Sequence, residues 1–303
     1  MPIRQITIIG TGLVGGSLGL ALRKRGFRGT IIGCDREAVL SAAKRKQAID
    51  RAISDPVKAC RESDVVVLAT PVGAIIDLIE KLAPSLSSDT LLTDVGSTKH
   101  AIVEGAVRAF GSHTQQRFLG GHPMAGKENS GIEFAEAELF RGAVWFFTPL
   151  EGKEAKNGRR AEYISWIQKL GARIAILNPL EHDRLCAWIS HVPQMLATAL
   201  AATLVEAYGE QAPLLETGGR ALREMTRIAT SPYSMWRDIA LTNKKPISDA
   251  LLRLEQELAH IRDNLDTRAL EEEFHRAHQL SASNAKPAAR TKSTGSMPRQ
   301  RRK

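Results

Sequence analysis

The chain is poor in cysteine and in aromatic residues. Its 303 residues include three cysteines, and Phe, Trp and Tyr together make up 5%. Three cysteines spread along the chain cannot build the dense disulfide framework of a small secreted domain. No C-x-x-C pair is present, so we predict no zinc site and no other metal site. Cys34, Cys60 and Cys186 are expected to be ordinary buried thiols.

Long apolar runs are also missing. No stretch of consecutive apolar residues approaches the roughly 18 that cross a bilayer. The N-terminus lacks the basic start, apolar stretch and cleavage site of a secretory signal, so we expect a cytoplasmic protein that does not span a membrane. With 43% hydrophobic residues the chain can bury a core, and its length predicts roughly two domains.

Acidic residues are fewer than basic ones. The chain has 42 Lys and Arg against 33 Asp and Glu, a net charge of +9. Seven of these basic residues and no acidic residue lie in 281–303, so the first 280 residues have a net charge of +2. The polar, basic composition predicts a disordered tail over 283–303. Because the body is nearly neutral, we expect no nucleic acid as a partner.

The first 178 residues alternate between apolar β-branched runs and stretches with helical periodicity. Strands are predicted at 6–9, 30–32, 65–68, 91–95 and 143–147, and helices at 14–26, 37–46, 71–82, 98–109 and 155–170. Most of the strands are continuously apolar, as in a sheet covered on both faces. The pattern predicts an α/β domain over 1–178 with a doubly wound, mostly parallel sheet of the Rossmann type.

Strand patterns disappear after residue 178. Segments rich in Leu and Ala with helical periodicity cover 180–207, 214–229, 235–241 and 246–278. We therefore predict an all-helical domain over 179–282. The part from 187 to 207 is unusually apolar for a surface helix, which places it at the centre of this domain or in a subunit interface.

A glycine-rich motif follows the first predicted strand. Residues 10–15 read G-x-G-x-x-G, and Asp35 follows the next strand, 20 residues beyond Gly15. Gly10 allows a tight turn, Gly12 lets backbone N–H groups approach a pyrophosphate, and Gly15 lets the helix pack closely on the strand. The matched spacing favours a dinucleotide site over the alternative, a glycine turn with a helix-capping aspartate.

Asp35 indicates which dinucleotide binds. Its carboxylate is suited to the adenosine ribose hydroxyls and would repel the extra phosphate of NADP, so we predict NAD. The neighbouring Arg36 could stack on the adenine or weaken that discrimination, so NADP stays as the less favoured alternative. Four further residues complete the predicted cofactor site: Leu13, Val14, Thr70 and Pro71.

Two polar clusters lie where strands of the first domain end. Ser97 lies where the strand at 91–95 gives way to a helix, and its simplest interpretation is a helix N-cap. His122 is surrounded by glycines at a strand end, beyond which ligands of open α/β sheets bind.

The helical half contains a third, dispersed cluster. Taken alone, Arg227 is expected to be a helix residue whose side chain faces solvent or forms a salt bridge. His182 and His191 are nine residues apart, which is too far for the i, i+4 pair of a helical metal site.

Together these motifs identify a resemblance. In order, the chain reads D-V-G-S-T-K, G-G-H-P-M-A-G-K-E-N-S-G, E-H-D, S-H-V-P and T-R-I-A followed by M-W-R-D. From residue 5 to about 280 the sequence resembles the prephenate/arogenate dehydrogenase family of tyrosine biosynthesis. The G-G-H-P-x-A-G element with S-H-x-P downstream is its most specific part.

The resemblance implies an enzyme with NAD(P)-dependent oxidative decarboxylation as its reaction. Prephenate would become 4-hydroxyphenylpyruvate, or arogenate would become tyrosine, with loss of CO2. It also implies a homodimer formed through the helical domain, with the active site in the cleft between the two domains.

The resemblance also assigns roles to residues. His122 would accept the hydroxyl proton of the substrate, and Ser97 would orient His122 and the nicotinamide. Arg227 would pair with the ring carboxylate. Five further positions are assigned to substrate binding: Glu128, His182, His191, Gln194 and Trp236.

One departure keeps the substrate open. Gln194 stands where many relatives have a histidine, which weakens the preference for prephenate over arogenate. An arogenate or dual-substrate cyclohexadienyl dehydrogenase is therefore the close alternative. A β-hydroxyacid dehydrogenase is more distant, because the G-G-H-P-M-A-G element is foreign to that group. A non-catalytic NAD-binding regulator would require the loss of His122 or Arg227, and both are present.

Overall fold

A computed structural model describes residues 2–127, 129–150, 158–209 and 217–284, with the side chains of 281–284 left out. Of the predicted features, Glu128 and the part of the basic tail after Asn284 lie outside the described residues.

The N-terminal half contains one eight-stranded sheet. The strands are β1 (Gln5–Ile9), β2 (Thr30–Cys34), β3 (Arg51–Ala52), β4 (Val65–Leu68), β5 (Leu91–Asp94), β6 (Phe118–Pro123), β7 (Val144–Thr148) and β8 (Arg173–Ile176). Their order is β3-β2-β1-β4-β5-β6-β7-β8. The first six are parallel, β7 runs antiparallel to β6, and β8 is parallel to β7. The predicted doubly wound, mostly parallel sheet is confirmed, and its first six strands have the order of a dinucleotide-binding domain.

Helices cover both faces of the sheet. They are α1 (Leu13–Lys24), α2 (Glu37–Arg45), α3 (Pro56–Cys60), α4 (Val72–Leu82), α5 (His100–Phe110), α6 (Thr114–Arg117) and α7 (Gly158–Lys169). One buried apolar cluster contains Ile6 and Ile8 of β1, and a second contains Ile9 of the same strand. Because successive side chains of a strand point to opposite faces, a strand covered on both sides is continuously apolar.

The C-terminal half is helical throughout the described residues after β8. Its elements are α8 (Pro179–Cys186), a π-helical turn (Ala187–His191), α9 (Val192–Tyr208), α10 (Arg220–Ile228), α11 (Tyr233–Thr242), α12 (Lys244–Asp263) and α13 (Arg268–Asn284). The long helix predicted over 246–278 is interrupted between α12 and α13. At the start of α8, the Asn178 side chain accepts a hydrogen bond from the Leu180 N–H at 2.9 Å, and Glu181 closes a capping box.

One helix changes the expectation about membrane spans. Pro179–Tyr208 forms a continuous 30-residue helix whose mean hydropathy reaches 1.3 over an 18-residue window, enough to span a bilayer by length and composition. The expectation that no segment is long enough was wrong, because it counted consecutive apolar residues and a spanning helix tolerates a few polar ones. A third of that window is buried within the protein, and helices at protein cores or interfaces have the same composition.

Internal contacts divide the chain into two compact units, Met1–Ala250 and Leu251–Lys303. The first contains the whole sheet and the helices up to α11. In the second, Arg276 of α13 pairs with Glu257 of α12 at 3.5 Å. The domain boundary predicted at residue 178 lies elsewhere, because it follows the change from strands to helices. That boundary stays a prediction.

Candidate active site

A cavity of about 570 Å³ lies beyond the carboxyl ends of β1, β4, β5 and β6. β1 and β4 are neighbours in the sheet although β2 and β3 separate them in the chain, so the cavity includes the point where the strand order reverses. Eight of the residues assigned from sequence line this one cavity: Gly12, Leu13, Val14, Thr70, Pro71, Ser97, His122 and Arg227.

The glycine loop has no room for side chains at two of its three glycines. Gly10 has a φ of +92°, and a Cβ there would lie 2.3 Å from the Ala69 carbonyl oxygen. A Cβ at Gly15 would lie 1.9 Å from the Gly10 carbonyl oxygen. At Gly12, by contrast, a Cβ would meet no atom within 4 Å, and no side chain of the described residues caps the first turn of α1. The N–H groups of that turn are therefore available to phosphate oxygens.

Asp35 follows β2 directly and is held against the glycine loop. Its Oδ2 accepts a hydrogen bond from the Thr11 N–H at 2.8 Å, and its Oδ1 accepts one from the Arg36 N–H at 2.7 Å. Neither Asp35 nor Arg36 belongs to the cavity lining. The backbone contacts fix the orientation of the carboxylate beside the loop.

His122 is the second-last residue of β6 and is 8% exposed. Its Nδ1 lies 2.9 Å from Nε2 of His182, and Nδ1 of His182 lies 2.8 Å from Oδ1 of Asp183. Burial lowers the pKa of His122 well below 6.5, and the nearby His182 lowers it further. Burial also lowers the pKa of His182, although the hydrogen bond with Asp183 opposes that shift. Both imidazoles are therefore neutral near pH 7.

The hydrogen-bond chain defines the proton positions on both rings. An ionised carboxylate only accepts hydrogen bonds, so Nδ1 of His182 carries the proton that bonds to Asp183. The Nε2 atom of a neutral His182 is then an acceptor and receives the Nδ1 proton of His122. In a neutral His122 this leaves Nε2 with a free lone pair, so His122 can act as a base through Nε2.

Asp183 also sets where α5 begins. Its two oxygens accept hydrogen bonds from the backbone N–H groups of Lys99 at 2.7 Å and His100 at 2.9 Å. The cap of α5 therefore comes from a residue 84 positions away. The N-cap interpretation of Ser97 was wrong, because the helix begins at His100 and Ser97 lies in the cavity lining.

A buried ion pair supports the two segments that carry Ser97 and His122. The ammonium group of Lys99 contacts Oδ2 of Asp94, and both side chains are fully buried. Lys99 also donates to the Gly121 carbonyl oxygen at 2.8 Å, while Asp94 accepts from the N–H groups of Gly96 at 2.8 Å and Gly121 at 3.1 Å. Burial raises the pKa of Asp94 and lowers that of Lys99, and each charge opposes the shift of the other.

Four residues assigned to substrate binding lie outside the cavity lining: His182, His191, Gln194 and Trp236. His182 is fully buried against His122. His191 is also buried, which lowers its pKa to about 4, and its ring meets Trp236 edge to face at 5.9 Å. Gln194 donates from Nε2 to Thr198 at 3.2 Å.

Hydrogen bonds join α8 and α11 to the sheet domain around the cavity. Asp238 of α11 accepts from the Gly73 N–H at the start of α4 at 3.0 Å, and this contact lowers the pKa of Asp238. The Asn243 amide, at the end of α11, donates to the Asp183 carbonyl oxygen of α8 at 2.8 Å, and the Asp183 carboxylate accepts from the Lys99 N–H just before α5. Arg227, which lies on α10, lines the same cavity as the glycine loop.

Sequence reasoning missed several of these residues. Asp94 and Lys99 begin and end a motif in which only Ser97 was assigned, and Asp183 was quoted in E-H-D without a role. The comparison of His182 with His191 overlooked Cys186, which follows His182 by four residues and shares its helix face. Two residues at this spacing on one helix face can hold one metal ion, so the distance between His182 and His191 does not by itself exclude a zinc site. No local pattern marks Asn243.

Two family models, one for each half of the protein, match the chain. The model described as "Prephenate dehydrogenase, nucleotide-binding domain" matches residues 18–176, and "Prephenate dehydrogenase, dimerization domain" matches residues 178–280. The chain belongs to the prephenate dehydrogenase family.

Members of the prephenate dehydrogenase family are similar over nearly the whole chain. A prephenate dehydrogenase of Lactococcus lactis is 33% identical over 285 residues, 92% of this chain and 77% of that protein. The crystal structure of Aquifex aeolicus prephenate dehydrogenase, in complex with hydroxyphenyl propionate and NAD+, has a TM-score of 0.81 at 30% identity and covers 94% of this chain and 98% of that chain. Synechocystis arogenate dehydrogenase has a TM-score of 0.73 at 30% identity, with coverage of 92% and 98%.

Proposed function

We propose that this protein catalyses the NAD-dependent oxidative decarboxylation of prephenate to 4-hydroxyphenylpyruvate, a step of tyrosine biosynthesis. One observation carries the proposal: His122, with Nε2 as its free base, lines the same cavity as the glycine loop and Arg227. A hydride acceptor, a proton acceptor and a carboxylate-binding cation are the three groups that this reaction needs.

The glycine loop and the residues around it fit NAD. Gly12, Leu13 and Val14 would hold the pyrophosphate at the N-terminus of α1, and Asp35 would bind the adenosine ribose. Thr70 and Pro71 line the path toward His122. NAD, when bound, accepts the hydride from the ring carbon that carries the hydroxyl.

His122 would remove the hydroxyl proton of the substrate as the hydride leaves. The His122 imidazolium that forms would keep its Nδ1 proton and continue to donate it in the hydrogen bond to Nε2 of His182. The Asp183 carboxylate would stabilise the new positive charge through the His182 ring. Ser97 lines the cavity beside His122 and would orient the ring and the nicotinamide. Loss of CO2 then restores an aromatic ring, which drives the reaction forward.

Arg227 would bind the ring carboxylate that leaves as CO2. It lies on α10 and lines the cavity, and a guanidinium can make two parallel hydrogen bonds to a carboxylate.

We expect Arg227→Ala to raise the Km for prephenate by about tenfold or more, the scale of one charge-assisted contact. Steady-state kinetics at saturating NAD measures the change. Arg223→Ala is the matched control, because Arg223 lies one turn earlier on α10 and is not among the cavity residues. Equal Km values for the two variants would remove Arg227 from the substrate site.

Asp35→Ser is expected to shift the cofactor preference toward NADP. Serine keeps a hydroxyl for the ribose but removes the charge that repels the 2′-phosphate. The ratio of kcat/KM for NAD to that for NADP measures the shift, and Asp89→Ser, an exposed position before β5, is the control. An unchanged ratio would show that Asp35 does not contact the ribose.

Arogenate is the second candidate substrate. Gln194 stands where many relatives have a histidine, and its amide cannot carry charge, which weakens the preference for prephenate. The chain is also similar in fold to the arogenate dehydrogenase of Synechocystis. Purified protein assayed with prephenate and arogenate, each with NAD and NADP, separates the candidates by formation of the reduced nicotinamide. Turnover of prephenate with NAD supports the proposal, turnover of arogenate alone selects the second candidate, and no turnover in the four assays contradicts both.

We further propose a cytoplasmic homodimer. The matched dimerization domain supports the assembly, and so does α9, whose Leu200, Val205 and Tyr208 are exposed in the single chain. Apolar side chains of this size on one helix are typical of a surface that another chain covers. Light scattering of the purified protein measures the mass of the assembly.

A further inference from the structure

Cys186 lies beside the proposed base, and the reaction makes no use of it. It ends α8 one turn after His182, and its side chain is fully buried. Its Sγ lies 3.4 Å from Nε2 of His182 and 3.9 Å from Nδ1 of His122, and these two nitrogens are 2.9 Å apart. One sulfur and two imidazole nitrogens therefore form a compact triangle.

The triangle has nearly the dimensions of three of the four ligand positions in a tetrahedral zinc site. With Zn–N distances of about 2.0–2.1 Å, a Zn–S distance of about 2.3 Å and tetrahedral angles, two nitrogens lie about 3.3 Å apart and each lies about 3.6 Å from the sulfur. The three distances in the protein differ from these values by about 0.4 Å or less, so small side-chain movements would bring all three atoms into contact with one ion.

The surroundings also suit a metal ion of this type. Asp183 already accepts the Nδ1 proton of His182 at 2.8 Å, the carboxylate–histidine pairing that orients imidazole ligands of metals. A thiol and two imidazoles favour Zn²⁺ and chemically similar ions over Mg²⁺ or Ca²⁺. His122 lines the cavity, which gives an ion a route to the site from solvent.

We propose that His122, His182 and Cys186 bind Zn²⁺ and that the bound ion reversibly switches off the dehydrogenase. Zn²⁺ replaces the thiol proton of Cys186, which is released to solvent. Burial raises the pKa of this thiol to about 12, so the sulfur is protonated until a metal displaces the proton. The two imidazoles bind as neutral ligands through Nδ1 of His122 and Nε2 of His182.

The loss of activity follows from the tautomer of His122. Coordination through Nδ1 requires the lone pair of that atom, so the single proton of the neutral ring moves to Nε2. The nitrogen that the proposed mechanism uses as its base then carries a proton and cannot accept another. Binding of the ion rests on the triangle of ligand atoms alone, whereas inhibition rests on the proposed function.

Cobalt tests the binding separately from activity. Co²⁺ bound to a thiolate in a tetrahedral site gives a sulfur-to-metal charge-transfer absorption band, together with visible bands. We expect these bands in the unaltered protein and in Cys60→Ala, and their loss in Cys186→Ala. Cys60 is the matched control, because its buried thiol also has a pKa raised to about 12 and lies in an apolar cluster that does not contain Cys186. No thiolate band in the unaltered protein, or an equal band in Cys186→Ala, would overturn the site.

Zinc titration of the dehydrogenase activity tests the switch. Zn²⁺ should inhibit the unaltered protein and Cys60→Ala, a chelator should restore turnover, and Cys186→Ala should raise the half-inhibitory Zn²⁺ concentration by at least about tenfold. Cys186→Val, which leaves no cavity and has no ligand atom, serves if the alanine variant does not fold. A cobalt band with no inhibition by Zn²⁺ would overturn the switch. Absence of turnover in metal-free protein would contradict the proposed function. The cobalt charge-transfer band would still show whether the three residues bind a metal ion.

Discussion

The His122→Asn variant is expected to lose about 10²-fold or more in kcat, the scale of losing a general base. Asparagine can fill the space and hydrogen-bond to His182, but its amide accepts no proton at neutral pH. The Km for NAD should change little, because the glycine loop and Asp35 are separate from β6. Steady-state kinetics with prephenate and NAD measures both parameters.

His113→Asn is the control for this substitution. His113 is exposed and lies before β6, so its loss should leave kcat unchanged. If His122→Asn turns over at the rate of this control, His122 is not the base. A rise confined to the Km for NAD, with kcat unchanged, would instead make His122 a cofactor contact.

Lys99→Met is expected to lower the free energy of unfolding by about 3–5 kcal/mol, the range for removing one partner of a buried ion pair. Methionine fills the volume of the aliphatic chain but leaves Asp94 fully buried without a counter-charge. It also removes the hydrogen bond to the Gly121 carbonyl oxygen, so β6 and the segment of Ser97 lose a shared support. Urea denaturation followed by circular dichroism measures the loss.

Lys81→Met is the matched control, because Lys81 is exposed near the end of α4. Surface substitutions of this kind usually change stability by less than about 0.5 kcal/mol. A Lys99→Met protein as stable as the control would show that the buried pair does not support the fold. A lower kcat at a temperature where the variant is fully folded would show that the pair also positions the site.

The cofactor end of the site was predictable because its signals are local. The strand, the three glycines and Asp35 have a fixed spacing, and that spacing is imposed by the turn, the helix and the next strand of one βαβ unit. The structure confirms the sheet, and Gly10 and Gly15 have no room for a side chain.

The strand that carries His122 was harder to predict. β6 consists of Phe118, Leu119, two glycines, His122 and Pro123, a composition with low intrinsic preference for strands. Pairing with β5 on one side and β7 on the other stabilises it. The glycines allow this close packing, since a Cβ at Gly121 would lie 2.6 Å from the Asp94 carbonyl oxygen.

The sequence by itself determined the class of the sheet, doubly wound and mostly parallel, and the position of the glycine loop. Through its resemblance to a family it also indicated the proposed base and carboxylate-binding residue. These depend on residue type and on spacing within short segments. The relay from Asp183 through His182 to His122, the cap of α5 and the place of Cys186 beside both histidines were decided only by the tertiary structure. Each joins residues that are distant in the chain or assigned to different helices and strands, and such contacts exist only after α8 has packed against β6 and α5. The physical reason is that a side chain's proton position and ligand partners are set by its neighbours in space, which local periodicity does not encode.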